Sequence, residues 1–167
     1  MKKFLLVLIL GSINAAAQIN PSNITIARDS FGVPHIFAPT DPEVAYGIAW
    51  AHAEDDFETL QLVVLSGKAK LGTGLGKKGA EGDYVIQLLR CRQTVEEQWH
   101  TLSHDFIELI KGYVAGLNAY AKAHPKEIKY KHAFPFDEKD YMTAVIFSTA
   151  LFCGVDDALP QILGGKV

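Results

Sequence analysis

A chain of 167 residues is long enough for one domain with its own core. At 49% hydrophobic and 21% charged residues it reads as globular and not as a disordered segment. A formal net charge of −3, with no basic patch interleaved with aromatics, gives no reason to expect nucleic acid.

Residues 1–17 read as a signal peptide. Lys2-Lys3 form a positive start, Phe4 to Leu10 an apolar core too short to span a bilayer, and Ala15-Ala16-Ala17 a small-residue cleavage site. Cleavage near Ala17 predicts a mature chain from Gln18, periplasmic or secreted, with no membrane contact after leader removal. The expected domain is therefore 18–167.

Ile24, Ile26 and Arg28 alternate with Thr25, Ala27 and Asp29, which is strand periodicity. Asp29 to Gly32 is turn chemistry, with Gly32 free to take positive φ. Val33 to Phe37 is a second extended run in which Pro34 has no N–H, so it is expected at an edge. Thr40 and Glu43 have capping-box spacing, and Pro42 suits a first helical turn. One long helix is predicted from Pro42 to about Gly67, with Val44, Ile48, Ala51, Leu60, Val63 and Val64 on its apolar side. Gly47 inside it suggests close packing, since glycine there costs roughly 1 kcal/mol against alanine.

Residues 67–83 hold six glycines and four lysines and predict a surface loop. Their GxGxxG, Gly74 to Gly79, follows a helix and lacks the strand that a dinucleotide site requires. Tyr84 to Gln98 reads as an irregular helix with Val85, Leu88, Leu89 and Val95 apolar. Ser103 can cap the next helix, on which Phe106, Leu109, Ile110, Tyr113, Leu117 and Tyr120 recur at helical spacing; His124-Pro125 ends it. The following KEIKYKHAFPF reads as a solvated basic loop. Asp137 or a neighbour caps a last helix, Glu138 to Cys153. From Ala144 onward this helix is apolar almost all round, which predicts burial on all sides, and Gly154 can end it. Such a helix so near the chain's end is expected to be covered by a partner chain or a continuation.

Candidate chemistry is sparse. His100 and His104 are four apart, but no HExxH or third ligand accompanies them, so no metal site is predicted. His52, Glu54, Asp55 and Asp56 form a polar cluster that could act as acid and base, or could pair with an arginine such as Arg28. GxSxG is absent, and none of the serines has a nucleophile's context. Cys91 and Cys153 are compatible with a disulfide after export, or with free thiols, that of Cys153 buried.

Three stretches taken together are similar to the start of the penicillin acylase family of N-terminal nucleophile hydrolases. They are Arg28-Asp29-Ser30-Phe31-Gly32-Val33-Pro34-His35-Ile36, then Tyr46-Gly47-Ile48-Ala49-Trp50-Ala51-His52-Ala53-Glu54-Asp55, then Tyr113-Val114-Ala115-Gly116-Leu117-Asn118. The tail GVDDALPQIL resembles the branch of acyl-homoserine lactone and aculeacin acylases. The resemblance implies an exported precursor cut into two chains, this sequence matching leader and α chain. The partner would be a β chain of the same precursor whose N-terminal serine is nucleophile and, through its α-amine, base. No catalytic residue is then expected here.

The fold implied is α+β, a hairpin plus long helices forming part of a four-layered αββα fold. The function implied is hydrolysis of a small-molecule N-acyl amide, this chain contributing scaffold and a wall of the acyl pocket. Phe147, Leu151, Phe152 and Cys153 are the candidate pocket residues, with ordinary core packing as the competing role. No cofactor is required. A structural calcium is possible through Asp156 or Asp157, although calcium wants six to eight oxygens. The alternative reading is a non-catalytic exported helical binding module, or a truncated relic of an acylase.

Overall fold

The structure is a computed structural model and describes residues 19–164; the expected signal peptide lies outside the described residues. Strands β1 (Thr25–Arg28) and β2 (Pro34–Phe37) form a two-stranded antiparallel sheet, in register Thr25 with Phe37 and Arg28 with Pro34. The expected turn is present. The Asp29 carboxylate accepts from Phe31 N at 2.9 Å and Val33 N at 3.0 Å, and Gly32 takes φ +83°. Ile24, Ile26 and Ile36 face inward and Thr25, Ala27 and Phe37 outward, so the alternation in sequence is the alternation in space.

Helix α1 (Asp41–Gly67) follows, and the predicted single helix is kinked. Asp56 has non-helical dihedrals, and its carboxylate accepts from Thr59 N at 3.1 Å, so it starts a second segment. The Thr40–Glu43 capping box is not made. Thr40 Oγ1 donates instead to the Glu43 carboxylate at 3.0 Å, and the other oxygen of Glu43 accepts from Asn20 N at 3.3 Å. The N-terminal segment competes for the side chain the box would need.

The buried side of α1 agrees with expectation at Ala51, Leu60 and Val64 and differs elsewhere. Ile48 and Val63 are exposed, whereas Ala45, Ala49, Ala53, Phe57, Leu60 and Val64 are buried. The alanines win because they let α5 (His104–Ala123) approach backbone to backbone. A Cβ on Gly116 of α5 would sit 2.4 Å from Tyr46 O and 3.0 Å from the Cβ of Ala49. The opposite side of α1 takes the hairpin, where a Cβ on Gly47 would lie 2.5 Å from Cγ2 of Ile36. Close packing at Gly47 is therefore present as predicted. On α5, Ile110, Val114, Leu117 and Tyr120 are buried, but Phe106 and Leu109 face outward; Ser103 caps the helix as expected, accepting from Phe106 N at 3.3 Å.

The glycine-rich segment is not a loop. It forms α2 (Gly72–Leu75) and α3 (Lys77–Leu88). The Asp83 carboxylate accepts from Leu71 N at 2.7 Å and Gly72 N at 2.8 Å, closing a tight helical corner. Its glycines permit contact: a Cβ on Gly79 would lie 2.3 Å from Leu71 O. A left-handed Arg90 (φ 55°) then separates α3 from α4 (Cys91–Gln98), so the region from Tyr84 to Gln98 is two helices.

The basic loop after α5 is solvated only on one side. Ala133 and Phe136 belong to the core, with Ile128, Tyr130 and Phe134 packed against it. Two buried or half-buried amides hold it there. Gln61 donates to Glu127 O and accepts from Lys129 N at 2.8 Å, and Asn118 brackets Phe136 by donating to its O at 2.8 Å and accepting from its N at 2.9 Å. Helix α6 (Glu138–Phe152) begins with the predicted cap, here a full capping box between Asp137 and Asp140. Gly154 at φ +82° turns the chain into α7 (Val155–Leu163).

Candidate functional site

Helices α1 and α6 run antiparallel and touch at one end. A Cβ on Gly67 would lie 2.2 Å from Asp140 O, so the end of α1 meets the start of α6 backbone to backbone. Asp140 is buried there between two cations, Arg92 of α4 at 2.8 Å and Lys68 at 3.4 Å. Asp137 N donates to its second oxygen at 3.2 Å, and Lys68 also donates to Pro135 O.

Away from that contact a cleft of about 400 Å³ lies between the helices. Thr59, Leu62, Val63 and Ser66 form the α1 wall, spaced three and four apart on one face. Tyr141, Ala144, Val145, Phe147, Ser148 and Leu151 form the α6 wall. Small side chains, Ser66, Ala144 and Ser148, leave the space open. The volume falls in the range of about 300–1,000 Å³ usual for small-molecule sites, and the lining is largely apolar with a few hydroxyls.

Of the four predicted pocket residues, Phe147 and Leu151 line this cleft. Phe152 does not; it stands 93% exposed at the end of α6. Cys153 is exposed with a free thiol, and Cys91 is buried and free, so the expected buried thiol at Cys153 is not found. Burial on all sides of α6 is also not found: within this helix the buried residues are Asp140, Thr143 and Ala144. After Ala144 the apolar residues Val145, Ile146, Phe147 and Leu151 are only half-buried, and Phe152 is exposed.

The polar cluster on α1 is resolved into ion pairs. Arg28 reaches Asp55 at 2.9 Å, Glu54 at 3.1 Å, Gly32 O at 2.9 Å and Ala51 O at 3.4 Å. The hydrogen bond it donates to Asp55, then that to Glu54, holds the Arg28 guanidinium above its ordinary pKa. These carboxylates tie the hairpin to α1 and do not converge on His52. His52 Nδ1 lies instead 3.3 Å from Tyr113 OH, whose pKa burial pushes up to about 12 with the help of Tyr141. Asp29 is held below the ordinary carboxylate range, chiefly by the Val33 amide.

His100 and His104 are both exposed. Among the described residues no group of three or more His, Cys, Asp or Glu side chains could hold a metal ion. Asp157 is exposed on α7, so the described part of this chain does not itself furnish the oxygens calcium needs. No described helix is long and apolar enough to cross a membrane.

Sequence reasoning missed Gln61, Asp83 and the Lys68–Asp140–Arg92 cluster. Asp140 carries a usable signal, since it stands three residues after Asp137 at capping-box spacing. Gln61 and Arg92 carry none, because their partners are far away in sequence.

The family model described as penicillin amidase matches residues 23–153. Curated relatives include an acyl-homoserine lactone acylase of Pseudomonas syringae pv. syringae, 32% identical over 62% of this chain and 15% of the relative. Penicillin G acylase of Escherichia coli is 28% identical over 65% of this chain and 13% of the relative. The chain thus spans only about a seventh of the length of the curated relatives it matches. Among solved structures, a thermostable penicillin G acylase from Alcaligenes faecalis matches with a TM-score of 0.64 at 24% identity. That match covers 76% of this chain and 72% of the solved one, and shows a shared fold.

Proposed function

The chain belongs to the penicillin amidase family, and we propose that it is the α-chain part of an exported N-acyl amide hydrolase, contributing scaffold and one wall of the acyl pocket. The observation that carries this reading is the extent of the family match, residues 23–153, which takes in the hairpin, α1, α5 and α6. The coverage supports it further. The chain covers 72% of a solved acylase chain but 13–15% of the curated acylases, the proportions of a small chain matched against a much longer protein.

On this reading the three family-like stretches are scaffold. Arg28 fastens the hairpin, Gly47 and Gly116 let neighbours approach α1, and Asn118 holds the loop before α6. The nucleophile, its base and the oxyanion donors belong to the β chain of the same precursor. The acyl group enters the cleft between α1 and α6, against Phe147 and Leu151. Phe152 and Cys153, at the exposed end of α6, meet the β chain and finish the pocket's rim.

The complete gene product, purified after maturation, is tested against amides of one amine carrying acyl groups from acetyl to dodecanoyl. Release of the free amine is the expected result. Leu151→Trp, which fills the cleft, should remove turnover of long acyl groups before that of short ones. No hydrolysis of any member by a correctly folded protein would favour the non-catalytic binding module instead.

A further inference from the structure

The cleft has a closed end and an open end, and the closed end is fixed by charge. At the Gly67–Asp140 contact, α6 cannot slide toward α1 because backbone already meets backbone. It is restrained from tilting away by Asp140, whose side chain is only 8% exposed and is held from two sides. Lys68, the residue after α1, pulls at 3.4 Å and Arg92 of α4 at 2.8 Å. Arg92 is itself braced by Glu96 at 3.0 Å on its own helix. Beyond Ala144 no comparable anchor exists among the described residues: Phe147 and Leu151 border open space, and Phe152 is exposed.

A second cavity, of about 90 Å³, lies on the other flank of α6, bordered by Val95, Trp99, Leu102, Met142 and Ile146. Helix α6 therefore has space on both flanks and a fixed pivot at its start. A rotation about that pivot widens one cavity at the expense of the other.

We propose that Arg92, acting through Asp140, is a positioning residue that sets the tilt of α6 and thereby the width of the α1–α6 cleft and the length of acyl chain it accepts. The proposal rests on the acyl-pocket reading above. Arg92 lies outside the cleft and touches no cleft-lining residue through these ion pairs, so its effect on acyl preference passes through the helix. A fork-shaped guanidinium bonded to Asp140 and Glu96 fixes direction better than a point charge, yet a lysine retains the attraction.

The test uses the complete gene product with Arg92→Ala and Arg92→Lys, read in two ways. The first readout is kcat/KM along the acyl series. In Arg92→Ala the ratio of long to short acyl groups should shift by about tenfold, the scale of fitting one methylene more or fewer in an apolar pocket, with Arg92→Lys restoring most of it. The second readout is the distance between spin labels on a Thr149→Cys substitution, exposed on α6 and outside the cleft lining, and on a Glu58→Cys substitution in α1, with Cys153 replaced by Ser. That distance should move or broaden in Arg92→Ala and return in Arg92→Lys.

If the distance is unchanged in a folded Arg92→Ala protein, the clamp is overturned, even if turnover falls equally for every acyl length. If the distance moves and the acyl ratio does not, the acyl-pocket reading fails while the clamp stands. Leu151→Trp separates the two further, since it alters the cleft without touching the clamp.

Discussion

The guanidinium of Arg28, at the end of β1, lies 2.9 Å from the carboxylate of Asp55 on α1, and the same group bonds Glu54, Gly32 O and Ala51 O. A two-stranded hairpin is marginal alone, so this single side chain is a principal fastening between hairpin and helix. Arg28→Ala should speed hydrogen exchange at the β1–β2 amides several-fold while α5 amides keep their protection. Arg28→Lys should rescue little, because one ammonium cannot serve acceptors spread over four residues. Exchange followed by mass spectrometry reads both.

The hairpin turn should loosen in acid. Asp29 is held below its ordinary value of 3.8, chiefly by the Val33 amide and also by those of Phe31 and Gly32 and by His35. A depressed folded pKa contributes stability that is present above the unfolded value and lost as pH falls through the folded one. The amide resonances of Phe31 and Val33 should therefore titrate together with a midpoint below 3.8. Asp29→Asn should abolish that titration.

At the alkaline end the relevant group is Tyr113. Burial, with Tyr141 beside it, raises its pKa from 10 to about 12. Its contribution to stability is complete below 10 and lost as pH rises toward 12. Burial raises Tyr46, Tyr120 and Tyr141 as well, so ultraviolet titration should show these four tyrosines ionising late, Tyr113 in that last window or at unfolding. Tyr113→Phe should remove that last ionisation and make stability between those pH values less steep.

Gly116→Ala should lower stability by about 1–3 kcal/mol, the usual scale of overpacking. The added methyl would stand 2.4 Å from Tyr46 O, which belongs to a helix backbone and has no rotamer by which to move aside. A urea midpoint lowered without change in slope is the expected outcome. An unchanged midpoint would mean that α1 and α5 can part without cost.

Phe152→Ala should act oppositely. With the ring 93% exposed within this chain, its loss should change the stability of the described fold by no more than about 0.5 kcal/mol. On the pocket reading it should alter acyl preference in the complete enzyme. A large stability loss there would assign Phe152 to the packing of an interface.

What is legible in the sequence is mostly local. The hairpin turn, Ser103, Asp137 and Gly154 each act within a few residues of themselves, and their residue types state the geometry they need. The differences arise where distant partners decide. Ile48 and Val63 have the composition of core, but α5 selects the alanine face because glycines on its own surface invite close approach. The glycine-rich stretch has the composition of a loop, yet Asp83 supplies acceptors for Leu71 and Gly72 and folds it into helices. The all-apolar end of α6 reads as buried because composition reports a preference for burial and not what provides it.

The break at Asp56 has an electrostatic side. A continuous helix has one positive and one negative end, and interrupting α1 in its middle creates another of each. The new negative end, where carbonyls of the first segment lose their helical partners, has Arg28 beside it, bonded to Ala51 O. The new positive end has the Asp56 carboxylate on Thr59 N, and the Thr59 side chain, then this amide, lowers the pKa of Asp56. Each half of α1 thus behaves as a separate dipole with a counter-charge at the break, and the bend that aims the second half at α6 is held by opposite charges on either side of it.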